Sequence, residues 1–213
     1  MVKPRLVFIS NSTELGTIYS KSELTELYSV CQANDLILYL DGARLGSALC
    51  SPEIDLTLAD LAKLVDVFYI GGTKNGALLG EAIVINNVDL KENFRFHLKQ
   101  RGALLAKGRI LGIQFLELFK DGLYFELARH ANAQSEKLRK SIAKLGYDFL
   151  TETSSNQSFP IFPQQLIEKI SQKYSFHIWS KIDQQRSAIR LVTSWATRED
   201  MIDEFISDLK DYS

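Results

Sequence analysis

From Leu6 to Ile85 the chain alternates two kinds of segment, and this alternation limits the available folds more than any other feature. Four short runs are almost wholly apolar: Leu6 to Ser10, Leu36 to Leu40, Val67 to Ile70 and Ala82 to Ile85. Between them lie segments with helical spacing. Ser20-Lys21-Ser22-Glu23 is a capping box, in which the serine accepts from the Glu23 amide and the glutamate reaches back. Leu24, Leu27, Tyr28 and Cys31 then fall on one helical face, and Leu58, Leu61, Ala62 and Val65 repeat the pattern. Short apolar strands joined by helices predict a mostly parallel sheet covered on both faces. Right-handed crossovers bring the carboxyl ends of such strands to one edge, where open α/β sheets bind their ligands.

The second half changes character. Lys91 to Phe119 reads as helical, interrupted by Gly102, Gly108 and Gly112, and Asp121-Gly122 marks a hinge. We expect a large domain over 1–120 and a small α+β domain over 121–213. In the latter, Leu123 to Leu145 forms a long helix that Gly146 terminates. Phe159 to Phe162 and Ile189 to Val192 read as strands, Leu166 to Tyr174 as a helix, and Met201, Phe205, Ile206 and Leu209 as the buried stripe of a last helix. The polar stretch Thr151 to Ser158 is expected to be a loop.

Charge and composition remove several classes of function. Acids and bases are interspersed and the net charge is −1, which favours neither a nucleic-acid nor a membrane surface. No apolar run approaches the roughly 18 residues of a membrane span. The apolar run behind the basic Met1-Val2-Lys3-Pro4-Arg5 is too short for a signal peptide. Cys31 and Cys50 read as small buried hydrophobes, and the expected compartment is the cytoplasm.

Two strings stand at strand ends: Leu40-Asp41-Gly42-Ala43-Arg44 and Gly71-Gly72-Thr73-Lys74-Asn75. Alone, each has a plain explanation. Asp-Gly is a common turn pair, Arg44 could be a surface cation or a partner of Asp41, and Lys74 could face solvent. A phosphate loop is rejected, because Ala77-Leu78 stand where Lys-Ser/Thr is required, and a dinucleotide fingerprint lacks its helix and acidic partner. Jointly the strings say more. An aspartate and a lysine at the carboxyl ends of two parallel strands suit a pyridoxal phosphate (PLP) site, with the lysine as Schiff-base former and the aspartate holding the pyridine nitrogen protonated. The flanking glycines would let a flat ring approach the backbone. Thr73 could offer its hydroxyl to a phosphate or merely close the turn. Arg190 could serve a structural ion pair or fork onto a substrate carboxylate. Lys99, Arg101, Lys107 and Arg109 read as a solvated helix face rather than a phosphate site. His97, His130 and His177 have no metal-ligand spacing.

The order of these strings resembles the threonine aldolase and β-eliminating lyase family of fold type I, aspartate aminotransferase-like PLP enzymes. Ser10 to Thr17, Leu40 to Arg44, Gly71 to Glu81, Lys107-Gly108-Arg109, Asn156-Gln157 with Phe159-Pro160, and Ile189 to Thr197 carry the resemblance. It implies that Lys74 holds PLP, that Asp41 pairs with its ring nitrogen, and that Arg44 and Arg190 grip the carboxylate of a small amino acid substrate. The implied reaction is cleavage of the Cα–Cβ bond of a β-hydroxy amino acid, threonine giving glycine and acetaldehyde. A remnant of the fold serving as an interaction module, or other PLP chemistry such as β-elimination or transamination, are the alternatives. The resemblance also implies an upstream region with the phosphate-binding turn and the ring-stacking residue, which this sequence lacks. A carboxyl-terminal portion of such an enzyme is therefore expected to expose apolar surface and to work as a homo-oligomer or with a missing amino-terminal half.

Overall fold

The structure is a computed structural model that describes residues 2–212. Its first half places β1 (Leu6–Ser10), β2 (Ile37–Asp41), β3 (Val67–Gly71) and β4 (Glu81–Ile85) in one sheet, in that order. The first three strands are parallel and β4 returns antiparallel to β3. Crossovers run through α1 (Lys21–Ala33), α2 (Leu45–Leu49) and α3 (Leu58–Leu64). Both longer crossover helices start at capping boxes, Ser20 with Glu23 and Thr57 with Asp60, which satisfy amides that a helix start leaves unpaired. Leu24, Cys31, Leu38, Leu40, Leu61 and Phe68 form the core between these helices and one face of the sheet.

The other face is covered only in part, short of the expectation of a doubly covered sheet. Alternation along each strand sends Leu6, Phe8, Tyr39, Tyr69 and Ile83 to that side. Leu6, Phe8 and Ile83 are each about half exposed. Phe8 stacks on Tyr39 with ring centroids 5.4 Å apart, and Tyr39 leans on Tyr69 at 6.4 Å. At the β4 edge of that face Ile83 lines a cavity with Phe94, Leu98 and Leu111, and Val67 is buried, so the cover is partial.

The Lys91–Phe119 region contains two helices, α4 (Phe94–Gln100) and α5 (Arg109–Phe119). Gly102, at φ +72°, lies in the turn between them, whereas Gly112 is absorbed inside α5. A 3-10 turn over Lys120–Gly122, with Asp121 and Gly122 both at positive φ, redirects the chain into α6 (Leu123–Lys144). Then follow β5 (Gln157–Ser158), β6 (Ile161–Pro163), α7 (Gln164–Ile170), β7 (His177–Lys181), β8 (Arg186–Val192) and α8 (Glu199–Tyr212). The second sheet is antiparallel, with β8 pairing with β5, β6 and β7. Leu138 and Ile142 of α6, with α7, α8 and β8, close a second core around Phe162, Ile189 and Phe205.

The segment expected to be a polar loop is irregular through Asn156, with Gln157–Ser158 forming β5, and from Ser154 onward it is a buried seam between the two halves. Ser154 through Pro160 are all buried. Ser154 Oγ meets Ser51 Oγ at 2.7 Å, the Asn156 amide donates to Ser47 Oγ at 2.9 Å, and Arg139 donates to the Ser155 carbonyl at 3.0 Å. These bonds satisfy part of the seam's buried polar groups, whereas Ser155 Oγ, Asn156 Oδ1 and Ser158 Oγ have no hydrogen-bond partner among the described residues.

Candidate active site

The two strings singled out in the sequence meet at the carboxyl edge of the parallel strands. Their glycines are what allow it. The Gly71 amide donates to the Gly42 carbonyl at 2.9 Å. A Cβ at Gly42 would fall 1.8 Å from the Tyr69 carbonyl oxygen, and one at Gly71 would fall 2.4 Å from that of Ala43. Gly72 is equally confined, 2.6 Å from the Gly80 carbonyl. These glycines let the protein's own backbones touch.

Asp41 closes β2. Its main-chain carbonyl accepts from the Asn11 amide at 3.0 Å, and its Oδ1 accepts from the Ala43 amide at 2.9 Å, so it does stabilise its own turn. Burial first, and then the neighbouring Asp41 carboxylate, hold the Tyr69 phenol above its ordinary value.

Lys74 sits in a 3-10 turn, Thr73–Asn75, directly after β3. The turn is anchored from behind. Asn75 is buried and donates from Nδ2 to the Tyr124 carbonyl at 2.8 Å, while the Tyr124 hydroxyl donates to the Gly71 carbonyl at 3.1 Å. The Gly72 amide donates to Glu81 Oε2 at 2.7 Å, and Gly76 turns the chain back at φ +103°. Thr73 and Lys74 are left exposed on the outside of this turn. Among the described residues the Lys74 ammonium has no ion-pair partner. Burial and then the Arg44 guanidinium draw it below its ordinary value; Asp41 and Glu14 act in the opposite sense.

Arg44 is half-buried and faces a cavity of about 430 Å³ that Arg190, Ser175, Phe176, His177 and Val192 also line. Its Nε is buried with no hydrogen-bond partner among the described residues. Burial, and next the charge of Arg190, lower its proton affinity. Arg190, on β8, lies against the Trp179 ring at 5.2 Å and is held by Gln157, whose Oε1 accepts from Arg190 Nε at 3.1 Å. The structure therefore brings Asp41, Arg44, Lys74 and Arg190 together from the two halves of the chain. Neither plain reading of Arg44 holds, since it is not on the open surface and makes no ion pair with Asp41.

Sequence reasoning passed over Tyr69 and Trp179, and named Glu14 and Gln157 only within the strings that carry the resemblance, with no role of their own. Trp179 lies on β7, whose aromatic and β-branched run Phe176-His177-Ile178-Trp179 carries a strand signal. Tyr69 was legible by alternation, two residues beyond Val67, which pairs with Tyr39. Lys99, Arg101, Lys107 and Arg109 are all exposed and stand apart from this cluster. No group of three or more potential metal ligands occurs among the described residues, and none of their helices is long and apolar enough to cross a membrane.

A family model for beta-eliminating lyases matches residues 1–164. The chain belongs to that family. It is 32% identical over 211 residues to a low specificity L-threonine aldolase of Pseudomonas sp. (strain NCIMB 10558), an alignment covering 98% of this chain and 60% of that protein. A second low specificity L-threonine aldolase, from Pseudomonas aeruginosa, is also 32% identical, over 214 residues. A solved threonine aldolase from Leishmania major superposes with a TM-score of 0.96 at 46% identity, covering 99% of this chain and 62% of that one. The chain thus spans about 60% of the length of the curated relatives it matches. The fold is that of the fold type I PLP enzymes, and members of the beta-eliminating lyase and threonine aldolase family are PLP-dependent.

Proposed function

We propose that this chain carries the lysine-bearing part of a PLP-dependent lyase that cleaves the Cα–Cβ bond of β-hydroxy amino acids, as in the conversion of threonine to glycine and acetaldehyde. One observation carries the reading: an ammonium without an ion-pair partner, Lys74, stands with lowered proton affinity in one cluster with Asp41, Arg44 and Arg190. The residues fit the cofactor. Lys74 is accessible for covalent attachment, and Asp41 offers a carboxylate that the Ala43 amide holds in place. When bound, PLP supplies an electron sink for negative charge developing at the amino acid's Cα.

The chain's own groups have separate tasks. Asp41 keeps a proton at the pyridine nitrogen, because a carboxylate stabilises a cation beside it. Arg44 and Arg190 fork onto the substrate carboxylate, and the unsatisfied Arg44 Nε gains its missing acceptor there. Thr73, exposed on the Lys74 turn, offers a hydroxyl to the cofactor phosphate. We take 1–120 as part of the cofactor domain and 121–213 as the small domain, with the Ser154–Ser158 seam between them.

The exposed Leu6, Phe8 and Ile83 of the sheet, together with exposed Ile110, Ile113 and Leu116 on α5, support a chain that works as a homo-oligomer or with an amino-terminal half. Cys31 and Cys50 are free thiols, in keeping with a cytoplasmic site of action. The test is to supply PLP and L-threonine and measure glycine and acetaldehyde. Stoichiometric release that Lys74→Ala abolishes is expected; equal release from Lys74→Ala would overturn the reading.

A further inference from the structure

The acceptor that holds Arg190 is a neutral amide where a carboxylate would have formed a stronger pair. Gln157 is fully buried on β5. Its Oε1 accepts from both Nε and Nη2 of Arg190, and its Nε2 donates to the Thr13 carbonyl at 3.2 Å. Both ends of the amide are therefore engaged, which fixes its oxygen toward the guanidinium. The Trp179 ring supports the guanidinium. Among the described residues only Glu14 comes within ion-pair distance of Arg190, at 3.9 Å, and its side chain is 67% exposed.

We propose that Gln157 is a positioning residue that aims Arg190 at the substrate carboxylate without cancelling its charge, an inference that rests on the carboxylate-binding reading of Arg190. A guanidinium has five N–H donors in a rigid fork. Gln157 occupies the Nε edge and leaves Nη1 donors for a ligand. A glutamate at 157 would satisfy the same edge but add a buried negative charge, so an arriving carboxylate would meet a neutralised pair. A leucine would add no charge but would leave a long, rotamer-rich side chain unaimed. The tie to Thr13 further links the aim of Arg190 to the loop that follows β1.

The experiment compares Gln157→Glu, Gln157→Leu and Arg190→Lys in the PLP-saturated protein. Glycine is titrated by calorimetry, and the Arg190 Nε–H is followed by hydrogen exchange in heteronuclear NMR, its peak assigned by its loss in Arg190→Lys. Gln157→Glu is expected to keep the slowly exchanging Nε–H yet bind glycine at least about tenfold more weakly. Gln157→Leu is expected to lose the exchange protection and also to weaken glycine about tenfold. A merely structural glutamine would not produce that split. Should Gln157→Leu fail to fold, the isosteric Gln157→Glu decides. Unchanged glycine affinity in the Gln157 variants, with Arg190→Lys weakened, overturns the proposal alone. Unchanged affinity in Arg190→Lys overturns the carboxylate reading and the proposal with it.

Discussion

Substituting Gly42 by alanine tests how the two strings are brought together. The added Cβ would meet the Tyr69 carbonyl oxygen at 1.8 Å, more than an ångström inside the 3.0 Å below which real Cβ atoms essentially never fall. Relief requires moving backbone. The Gly42 carbonyl accepts from both the Leu45 and Gly71 amides at 2.9 Å, so the Asp41 turn cannot retreat without breaking one of these bonds. Overpacking of this kind costs about 1–3 kcal/mol, and a lost backbone hydrogen bond adds about 1 kcal/mol, giving about 3 kcal/mol in all. For a chain of this size that lowers the melting temperature by about 6–12 °C. Gly112→Ala is the internal control: its Cβ meets nothing within 4 Å in the middle of α5, and it should stabilise by about 0.5–1 kcal/mol. Calorimetric melting of both variants reads the comparison. A Gly42→Ala variant that melts within about 2 °C of the unmodified protein, a shift worth under about 1 kcal/mol, would refute the close-approach argument.

Asn75→Ala removes the buried bond to the Tyr124 carbonyl and should cost about 1–3 kcal/mol, measurable as a lower urea midpoint. A neutral result would show that α6 does not anchor the Lys74 turn. Lys74 itself predicts a pH dependence. Because its ammonium is weaker in the folded chain than at its ordinary 10.5, the unfolded chain binds more protons between the two values. Stability relative to Lys74→Met should therefore rise as pH climbs from the folded value toward 10.5, modestly, since the residue is exposed. A relative stability that falls over that range contradicts the sign. The same lowered affinity predicts that an amine-selective reagent at neutral pH modifies Lys74 ahead of the other lysines, as peptide mapping would read.

Much of this was legible in the sequence because it rests on local rules. The apolar runs became β1 to β4, the Ser20–Glu23 box starts α1, and Asp41 and Lys74 fall at one sheet edge because parallel strands leave them no other. What escaped depends on distant contacts. Thr151 to Asn156 are irregular as their polarity suggested, but the burial of Ser154 to Ser158 depends on contacts with residues such as Ser47 and Ser51, far away in sequence. The exposed part of the second sheet face escaped for the opposite reason: an apolar strand records that a face favours burial, not which element covers it.

The central claim is that Lys74 and Asp41 form the attachment end of a PLP site. Its most direct test is to mix the protein with PLP, reduce with borohydride, and map the phosphopyridoxyl group by mass spectrometry. The account predicts one dominant modified residue, Lys74, with attachment lost in Lys74→Ala and the visible absorbance of the bound cofactor altered in Asp41→Asn. Label spread over the surface lysines, with Lys74 no more modified than Lys99 or Lys107, would contradict it.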